Sequence, residues 1–200
     1  MKHWLSIGTV LVLLLGLGGC NGDYTPVQPT DESAGNLVER LIPEGATLDS
    51  ATFYIFGENN TGRNIDLHRI TADWVEMEVT WDSFSDSFDP AVINSFTAVG
   101  NWTSADVTAL VQDWLDGVQP NFGLLLRQNP LEIPRTDFSS REGANPPYLE
   151  ICYTTDAGSE CEDLVAIADA HLWELYPTIN VGAAARLSVG LNEPSDLEKY

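Results

Sequence analysis

The sequence predicts an all-β protein, a jelly-roll-type β-sandwich with one short helix at about residues 106–116. Two observations carry this prediction. Short runs of alternating apolar and polar residues recur along the chain and are separated by turn residues. One stretch has the apolar spacing of a helix. The chain has 200 residues, which is enough for one domain with a substantial core.

The N-terminus has the pattern of a lipoprotein signal peptide. A short basic start precedes a mostly apolar run at 5–17, which is shorter than a membrane-spanning helix needs. The run ends in Leu17-Gly18-Gly19-Cys20, where small residues precede a cysteine that would receive the lipid. The alternative is an ordinary secretory signal with a chance cysteine. We therefore expect an exported lipoprotein, anchored in the membrane at the cell surface or the periplasmic face.

This assignment divides the first part of the chain. Residues 1–19 form the predicted leader, and residues 20–36 form the lipidated Cys20 and a flexible tether rich in Pro, Thr, Asp and Gly. With Cys20 lipidated, two of the 3 cysteines remain, Cys152 and Cys161. They flank a short polar stretch in an exported chain, so we predict a disulfide, with two free thiols as the alternative.

The charge balance restricts the partners of the chain. Its 30 acidic and 9 basic residues give a formal net charge of −21 and a pI near 4.1. This excess argues against nucleic acid and anionic lipid headgroups. It also disfavours an anionic polysaccharide unless cations bridge the two. The plainer explanation of the charge is solubility in a salty or calcium-bearing medium.

The strand candidates begin after a turn at 43–46. In the run 48–56, Ala51, Phe53 and Ile55 share one face, which is typical of a strand buried on at least one side. The other strand candidates are 65–70, 74–81, 122–127, 148–153, 165–174 and 186–190.

The helix prediction depends on an apolar stripe with spacing i, i+3, i+4, i+7, i+8. The stripe consists of Val107, Leu110, Val111, Trp114 and Leu115. Ser104 or Asp106 is suited to cap its start, and Gly117 is suited to end it in a left-handed conformation.

Several motifs stand in one order along residues 42–149: IPEGATL (42–48), VTW (79–81), DVT (106–108), VQDW (111–114), GLLL (123–126), FSSRE (138–142) and PPYL (146–149). With this set, the chain resembles the DNRLRE domain family. The resemblance implies an exported β-sandwich, since members of that family occur beside polysaccharide lyases and in large surface proteins. Some members are classed as carbohydrate-binding modules, which implies a polysaccharide ligand.

The opening segment of that family is displaced in this chain. Its counterparts are ADAHL (168–172), TINVG (178–182) and LSVG (187–190), close to the C-terminus. Residues 37–155 would form the body of the sandwich, and residues 156–200 a linker and the displaced opening strands. Three explanations stay open: a circular permutation, strands passed to a neighbouring copy, or a fragment of a tandem array.

Without the opening strands, the sandwich would lose too much folding free energy to remain stable. About five uncovered apolar side chains would lose roughly 7–15 kcal/mol, which matches the whole stability of a typical domain, about 5–15 kcal/mol. The C-terminal strands therefore fill the gap, in their own chain or in another copy. In the second case the protein self-associates through these strands.

The candidate ligand-binding residues are aromatic and basic. Trp74 and Trp173 lie beside charged residues and would suit stacking against a sugar ring, as would Tyr176 before a proline; core or edge packing is the alternative. Three arginines could bind a ligand through bidentate hydrogen bonds to sugar hydroxyls or carboxylates. The plainer interpretation is that they form salt bridges with acidic residues of the chain. These arginines are Arg69, Arg135 and Arg141.

Metal and catalytic signals are weak in the sequence. Calcium is the cation that the acidic segment 82–89 would take, through Asp82, Asp86 and Asp89. The segment lacks the Gly and closing Glu of an EF-hand, and a solvated loop is the alternative. No zinc-spaced cluster, P-loop, dinucleotide fingerprint or nucleophile elbow is present. We therefore expect a non-catalytic, lipid-anchored surface protein that binds extracellular polysaccharide, or alternatively a structural or adhesive subunit that assembles by strand exchange.

Overall fold

Antiparallel strands are the main regular structure of the described chain, which comprises residues 42–191 and the backbone of a strand at 9–15 in a computed structural model. The strands are β1 Thr9–Leu15, β2 Thr47–Phe56, β3 Asn64–Arg69, β4 Asn94–Thr97, β5 Trp102–Asp106, β6 Leu124–Gln128, β7 Thr136–Ser139, β8 Tyr148–Thr155, β9 Gly158–Trp173 and β10 Arg186–Val189. Two short helices are described, α1 Trp81–Phe84 and α2 Thr108–Leu115. The prediction of an all-β sandwich is confirmed.

Eight of these strands form one sheet in the order β4-β3-β6-β1-β9-β8-β2-β5, and β10 pairs with β7 in a second, two-stranded sheet. The long strand β9 joins two halves of the large sheet. Its first half pairs with β8, from Gly158 opposite Thr155 to Val165 opposite Tyr148. Its second half pairs with β1. Strands β9 and β10 therefore pair with β1, β7 and β8 of the same chain.

The two halves of the large sheet face each other across one apolar core. From one half, Phe53 and Ile55 of β2 and Ile151 of β8 are fully buried; from the other, Leu67 of β3 and Leu126 of β6 are fully buried in the same cluster. Alternate side chains of a strand point to opposite faces. The neighbours of these core residues in β2 and β8 therefore lie on the outer surface of the sandwich.

A second apolar cluster covers the opposite face of β6 and β9. Leu125 and Leu172 are buried there against Phe84 of α1, with Trp74 and Trp81 packed at the side. The half of the sheet around β6 and β9 is therefore covered on both faces, whereas β2, β5 and β8 have an open outer face. This difference decides where a ligand can reach the sheet.

The helix prediction is confirmed at α2, whose Leu110, Val111 and Trp114 are buried in the core. Asp106 accepts hydrogen bonds from the Thr108 backbone N–H (2.8 Å) and hydroxyl (2.6 Å). Gly117 follows the helix with a φ of 66°, a left-handed conformation that glycine adopts without strain.

Two predicted segments have a different structure. The strand predicted at 74–81 is wrong, because Val79 folds back to donate its backbone N–H to Val75 (2.8 Å), and α1 begins directly after Thr80. Thr80 and Ser83 form a reciprocal capping box that favours this start. The linker predicted after residue 155 is instead a tight hairpin between β8 and β9. Strands β4, β5 and β7 were not among the sequence candidates.

Strand β1 was also unexpected, since it lies in the predicted leader. It pairs antiparallel with β6 on one side and with β9 on the other, for example Leu11 opposite Leu126 and His171. The predicted lipidation at Cys20, the tether at 20–36 and the end of the chain at 192–200 lie outside the described residues.

Candidate functional site

The open outer face of β2, β5 and β8 carries four neighbouring aromatic side chains. This aromatic face consists of Tyr54, Phe56, Trp102 and Tyr148. Strand register places Tyr54 opposite Tyr148 and Phe56 opposite Trp102. The fully buried Phe53 and Ile55 alternate with Tyr54 and Phe56 along β2, so the aromatic face points away from the core.

The four rings form a continuous surface. The Tyr54 and Tyr148 rings are stacked, with centroids 4.8 Å apart and planes inclined by 8°. The Trp102 ring packs edge-on against the rings of Tyr148 and Phe56, with centroid distances of 5.3 Å and 5.5 Å. Trp102 is 39% exposed, and the other three side chains are half-buried. Exposed aromatic patches of this kind are typical of interaction sites.

Polar groups border the aromatic face along the next row of the sheet. Thr52 lies opposite both Asp106 and Glu150, and Glu150 lies opposite Asp163. Burial raises the pKa of Tyr54, and the nearby charges of Glu150 and Asp163 raise it further. The same three causes raise the pKa of Tyr148, with burial the largest. Both phenols therefore keep their protons at neutral pH and remain hydrogen-bond donors.

This chemistry suits a ligand that is flat on one side and rich in hydroxyl groups at its edge. The electron-rich faces of the rings attract the slightly positive C–H groups of a sugar ring. The carboxylates of Glu150 and Asp163 accept hydrogen bonds from hydroxyls and repel anions. The sequence analysis did not predict this face, because Tyr54 and Tyr148 lie in separate strand candidates and come together only when the strands pair. The signal was their position on the polar side of an alternating strand.

The sequence-predicted aromatic residues lie elsewhere. Trp74 is half-buried in the second apolar cluster and donates its indole N–H to the Phe122 carbonyl (3.0 Å). Trp173, the last residue of β9, and Tyr176 come together, with ring centroids 5.2 Å apart. Tyr176 is 40% exposed. This second aromatic pair is separate in sequence from the four-residue face.

The three predicted arginines each contact a carboxylate. Arg69 lies 3.2 Å from Asp89, and Arg135 lies 3.0 Å from Asp137. Arg141 lies 2.9 Å from Glu76 and also contacts Glu142. The plainer interpretation of the arginines as ion-pair partners therefore agrees with the geometry.

Part of the acidic segment 82–89 lines an open cavity of about 250 Å³. Asp82 and Asp86 border this cavity together with Trp81 and Arg127. The third predicted ligand, Asp89, accepts hydrogen bonds from the Ala91 backbone N–H and from the Arg69 guanidinium, and both lower its pKa. Within residues 42–191, the carboxylates close enough to share a metal are different ones: Glu76, Glu142 and Asp169.

The predicted disulfide is confirmed. Cys152 and Cys161 are directly opposite each other in β8 and β9, with Cα atoms 4.0 Å apart. Cys152 lies on the same outer face of β8 as Glu150 and Tyr148, which precede it by two and four residues. The disulfide therefore links β8, which carries Tyr148, to the neighbouring strand β9.

A comparison with known protein families identifies the fold. Residues 39–153 match carbohydrate-binding module family 96. The chain belongs to this family. The match covers more than half of the chain and includes all four residues of the aromatic face. The narrower DNRLRE assignment and the displacement of its opening strands stay predictions.

Curated relatives come from three bacilli. The chain is 32% identical over 128 residues to the tRNA nuclease WapA of Bacillus subtilis strain 168 and to the tRNA(Glu)-specific nuclease WapA of Bacillus subtilis subsp. natto. It is 32% identical over 127 residues to the tRNA3(Ser)-specific nuclease WapA of Bacillus spizizenii. Each alignment covers 61% of this chain and 5% of the relative. Neither described helix has the length and apolar run needed to span a membrane.

Proposed function

We propose that the protein is a non-catalytic, lipid-anchored surface protein that binds neutral extracellular polysaccharide through its aromatic face. Membership of a carbohydrate-binding module family supports binding of a glycan. The observation that carries the choice of surface is the continuous row of Tyr54, Tyr148, Trp102 and Phe56. The bordering carboxylates and the net charge of −21 favour a neutral ligand over an anionic one.

The nuclease activity named in the WapA proteins is not carried over to this chain. The chain corresponds to 5% of the length of these relatives, and its charge opposes binding of RNA. Anchoring at Cys20 is supported by the Leu17-Gly18-Gly19-Cys20 pattern. Turnover of any glycan or RNA by the purified protein would argue against a non-catalytic role.

Affinity electrophoresis in gels that contain hydroxyethylcellulose, xyloglucan or laminarin tests the proposal, with polygalacturonate as the anionic polymer. We expect retardation by at least one neutral polymer and none by polygalacturonate. The double variant Tyr54→Ala/Trp102→Ala should lose retardation, and the control Tyr176→Ala, at the second aromatic pair, should keep it. Retention of binding by the double variant would refute the aromatic face as the site. The loss of binding only in Tyr176→Ala would move the site to that pair.

A second candidate function is assembly by strand exchange, and the position of β1 favours it. Strand β1 lies in the predicted leader and pairs with both β6 and β9. If the leader is cleaved, two strands lose a partner in the middle of the sheet, and unpaired strand edges are templates for a strand from another chain. Native mass spectrometry of a chain that begins at residue 20, with Cys20→Ser, tests this. A folded monomer at high concentration would exclude exchange.

A further inference from the structure

Three carboxylates from distant parts of the chain meet at one place, which we call the carboxylate cluster. Glu76 lies in the turn before α1, Glu142 follows β7, and Asp169 lies in β9. One carboxylate oxygen of each lies within 4.8 Å of those of the other two. The cluster joins the body of the sandwich to the C-terminal strands.

Hydrogen bonds hold the cluster in a fixed arrangement. Glu76 Oε1 accepts from the Asp169 backbone N–H (2.8 Å), and Asp169 Oδ2 accepts from the Arg141 backbone N–H (2.7 Å). The Arg141 guanidinium Nη2 lies 2.9 Å from Glu76 Oε2 and 2.7 Å from Glu142 Oε1. The Ser140 hydroxyl donates to Glu142 Oε2 (3.3 Å). The site is thus pre-organised by main-chain and side-chain groups.

The backbone around Glu76 is also held in place by hydrogen bonds and close packing. The Asn180 side-chain amide donates to the carbonyls of Glu76 and Val79, each at 2.7 Å. Gly182 packs against the same turn so closely that a Cβ there would lie 2.2 Å from the Glu76 carbonyl oxygen. A residue with a side chain would therefore displace Glu76, and glycine is required at this position.

One oxygen of the cluster has no partner. Asp169 has no exposed surface, and its Oδ1 makes no hydrogen bond. A buried carboxylate oxygen without a partner is strongly unfavourable. Each other carboxylate oxygen in the cluster accepts a hydrogen bond or forms an ion pair with Arg141. The unsatisfied Asp169 Oδ1 therefore points to a group that the protein itself does not supply.

The charge of the cluster indicates what that group is. Three carboxylates against the single guanidinium of Arg141 leave two negative charges. A divalent cation would balance them, and a ligand set made only of oxygens is typical of calcium rather than zinc. A proton is the competing occupant, because burial raises the pKa of Asp169 to about 8, against the hydrogen bond from Arg141.

We propose that Glu76, Glu142 and Asp169 bind one calcium ion, which ties the turn before α1 and the loop after β7 to strand β9. This site differs from the acidic segment 82–89 to which the sequence pointed. It is independent of the polysaccharide proposal, since none of its residues belongs to the aromatic face.

The test uses the full-length chain, stripped with EGTA and titrated with calcium chloride by isothermal calorimetry. We expect one calcium ion per chain. Calcium at 100-fold above its dissociation constant should raise the melting temperature by about 5–10 °C relative to EGTA. Asp169→Asn should abolish both the binding heat and the shift. Glu142→Gln, at an exposed ligand, should weaken binding at least about tenfold without a risk to the fold.

Asp86→Asn serves as the matched control, because it removes an acidic group from the segment 82–89 and leaves the carboxylate cluster intact. It should bind calcium as the parent does. An unchanged melting temperature of the parent in calcium and EGTA would overturn the proposal, and so would loss of binding in Asp86→Asn. Full calcium binding by Glu142→Gln would also overturn it, whether or not Asp169→Asn folds.

Discussion

The aromatic face and the carboxylate cluster differ in their exposure to solvent: the face is open, whereas Asp169 of the cluster is buried. Tyr54, Trp102 and Tyr148 stand on an open surface whose other side is a complete core. Asp169 is fully buried and bonded to segments far away in sequence. We therefore expect changes at the aromatic face to alter polysaccharide binding with little effect on stability, and changes at the buried Asp169 to alter stability with little effect on polysaccharide binding.

The largest expected effect comes from deletion of residues 162–200. The deletion removes one side of the cluster and, among other buried side chains, four large apolar ones: Leu164, Leu172, Leu187 and Val189. Their burial is worth roughly 6–12 kcal/mol at 1.5–3 kcal/mol each, comparable with the whole stability of a domain, about 5–15 kcal/mol. The shortened chain should lose its cooperative transition in a circular-dichroism melt. A sharp transition at the parent temperature would show that these strands are dispensable.

Phe53 and Tyr54 are neighbours in β2 whose side chains point to opposite faces of the sheet, so their substitution compares the core with the aromatic face. Phe53→Ala removes a fully buried ring and should destabilise the fold by about 3–5 kcal/mol. Tyr54→Ala removes a half-buried ring stacked on Tyr148 and should cost about 1 kcal/mol. Urea unfolding measures both. Equal losses would mean that the aromatic face is part of the core rather than a surface.

The stability of the calcium-free protein should fall as the pH rises from about 4 to about 8. The pKa of Asp169 is raised to about 8 by burial, and that of Glu76 is raised by burial too, against the hydrogen bonds from Asp169 and Arg141. The unfolded chain therefore releases these protons at lower pH than the folded chain does. The loss for Asp169 is at most about 4 kcal/mol by pH 7.

Urea unfolding in EGTA at pH 4.5 and pH 7 measures this dependence. Asp169→Asn removes the titrating group, so its stability should change less between the two pH values than that of the parent. The other charged groups of the cluster are Glu76, Arg141 and Glu142, and they remain in both proteins. An identical pH dependence in the two proteins would exclude Asp169 as the source.

The disulfide beside the aromatic face should matter for stability but not for binding. Replacement of Cys152 and Cys161 by Ser should destabilise the fold by about 2–3 kcal/mol, because the loop closed by the bond is short. The hairpin register already holds β8 against β9, so binding of polysaccharide should be unchanged. Thermal unfolding of the double variant together with affinity electrophoresis checks both statements.

The alternation of apolar residues was sufficient to predict the fold class and the strands β2, β3 and β8, and the helical spacing of apolar residues was sufficient to predict α2. The strand prediction failed at 74–81. The alternating residues there form a turn instead, in which Val79 is buried in the second apolar cluster. Periodicity is a local signal and does not distinguish a strand from a turn held by distant residues.

The sites were harder to predict than the fold. The carboxylate cluster joins Glu76 to Asp169, which are 93 residues apart in sequence. No spacing rule connects them, so the sequence pointed to the local acidic run at 82–89 instead. The aromatic face depends on the register of β2 with β5 and β8, which is set only when the strands pair.

A crossed measurement on two variants tests the separation of the two regions most directly. Tyr54→Ala/Trp102→Ala and Asp169→Asn are compared for retardation by the neutral polysaccharide that retains the parent, and for the change in melting temperature on addition of calcium. We predict that the first variant loses retardation and keeps the calcium shift, and that the second keeps retardation and loses the shift. A variant that loses both, or a first variant that is still retarded, would contradict this account.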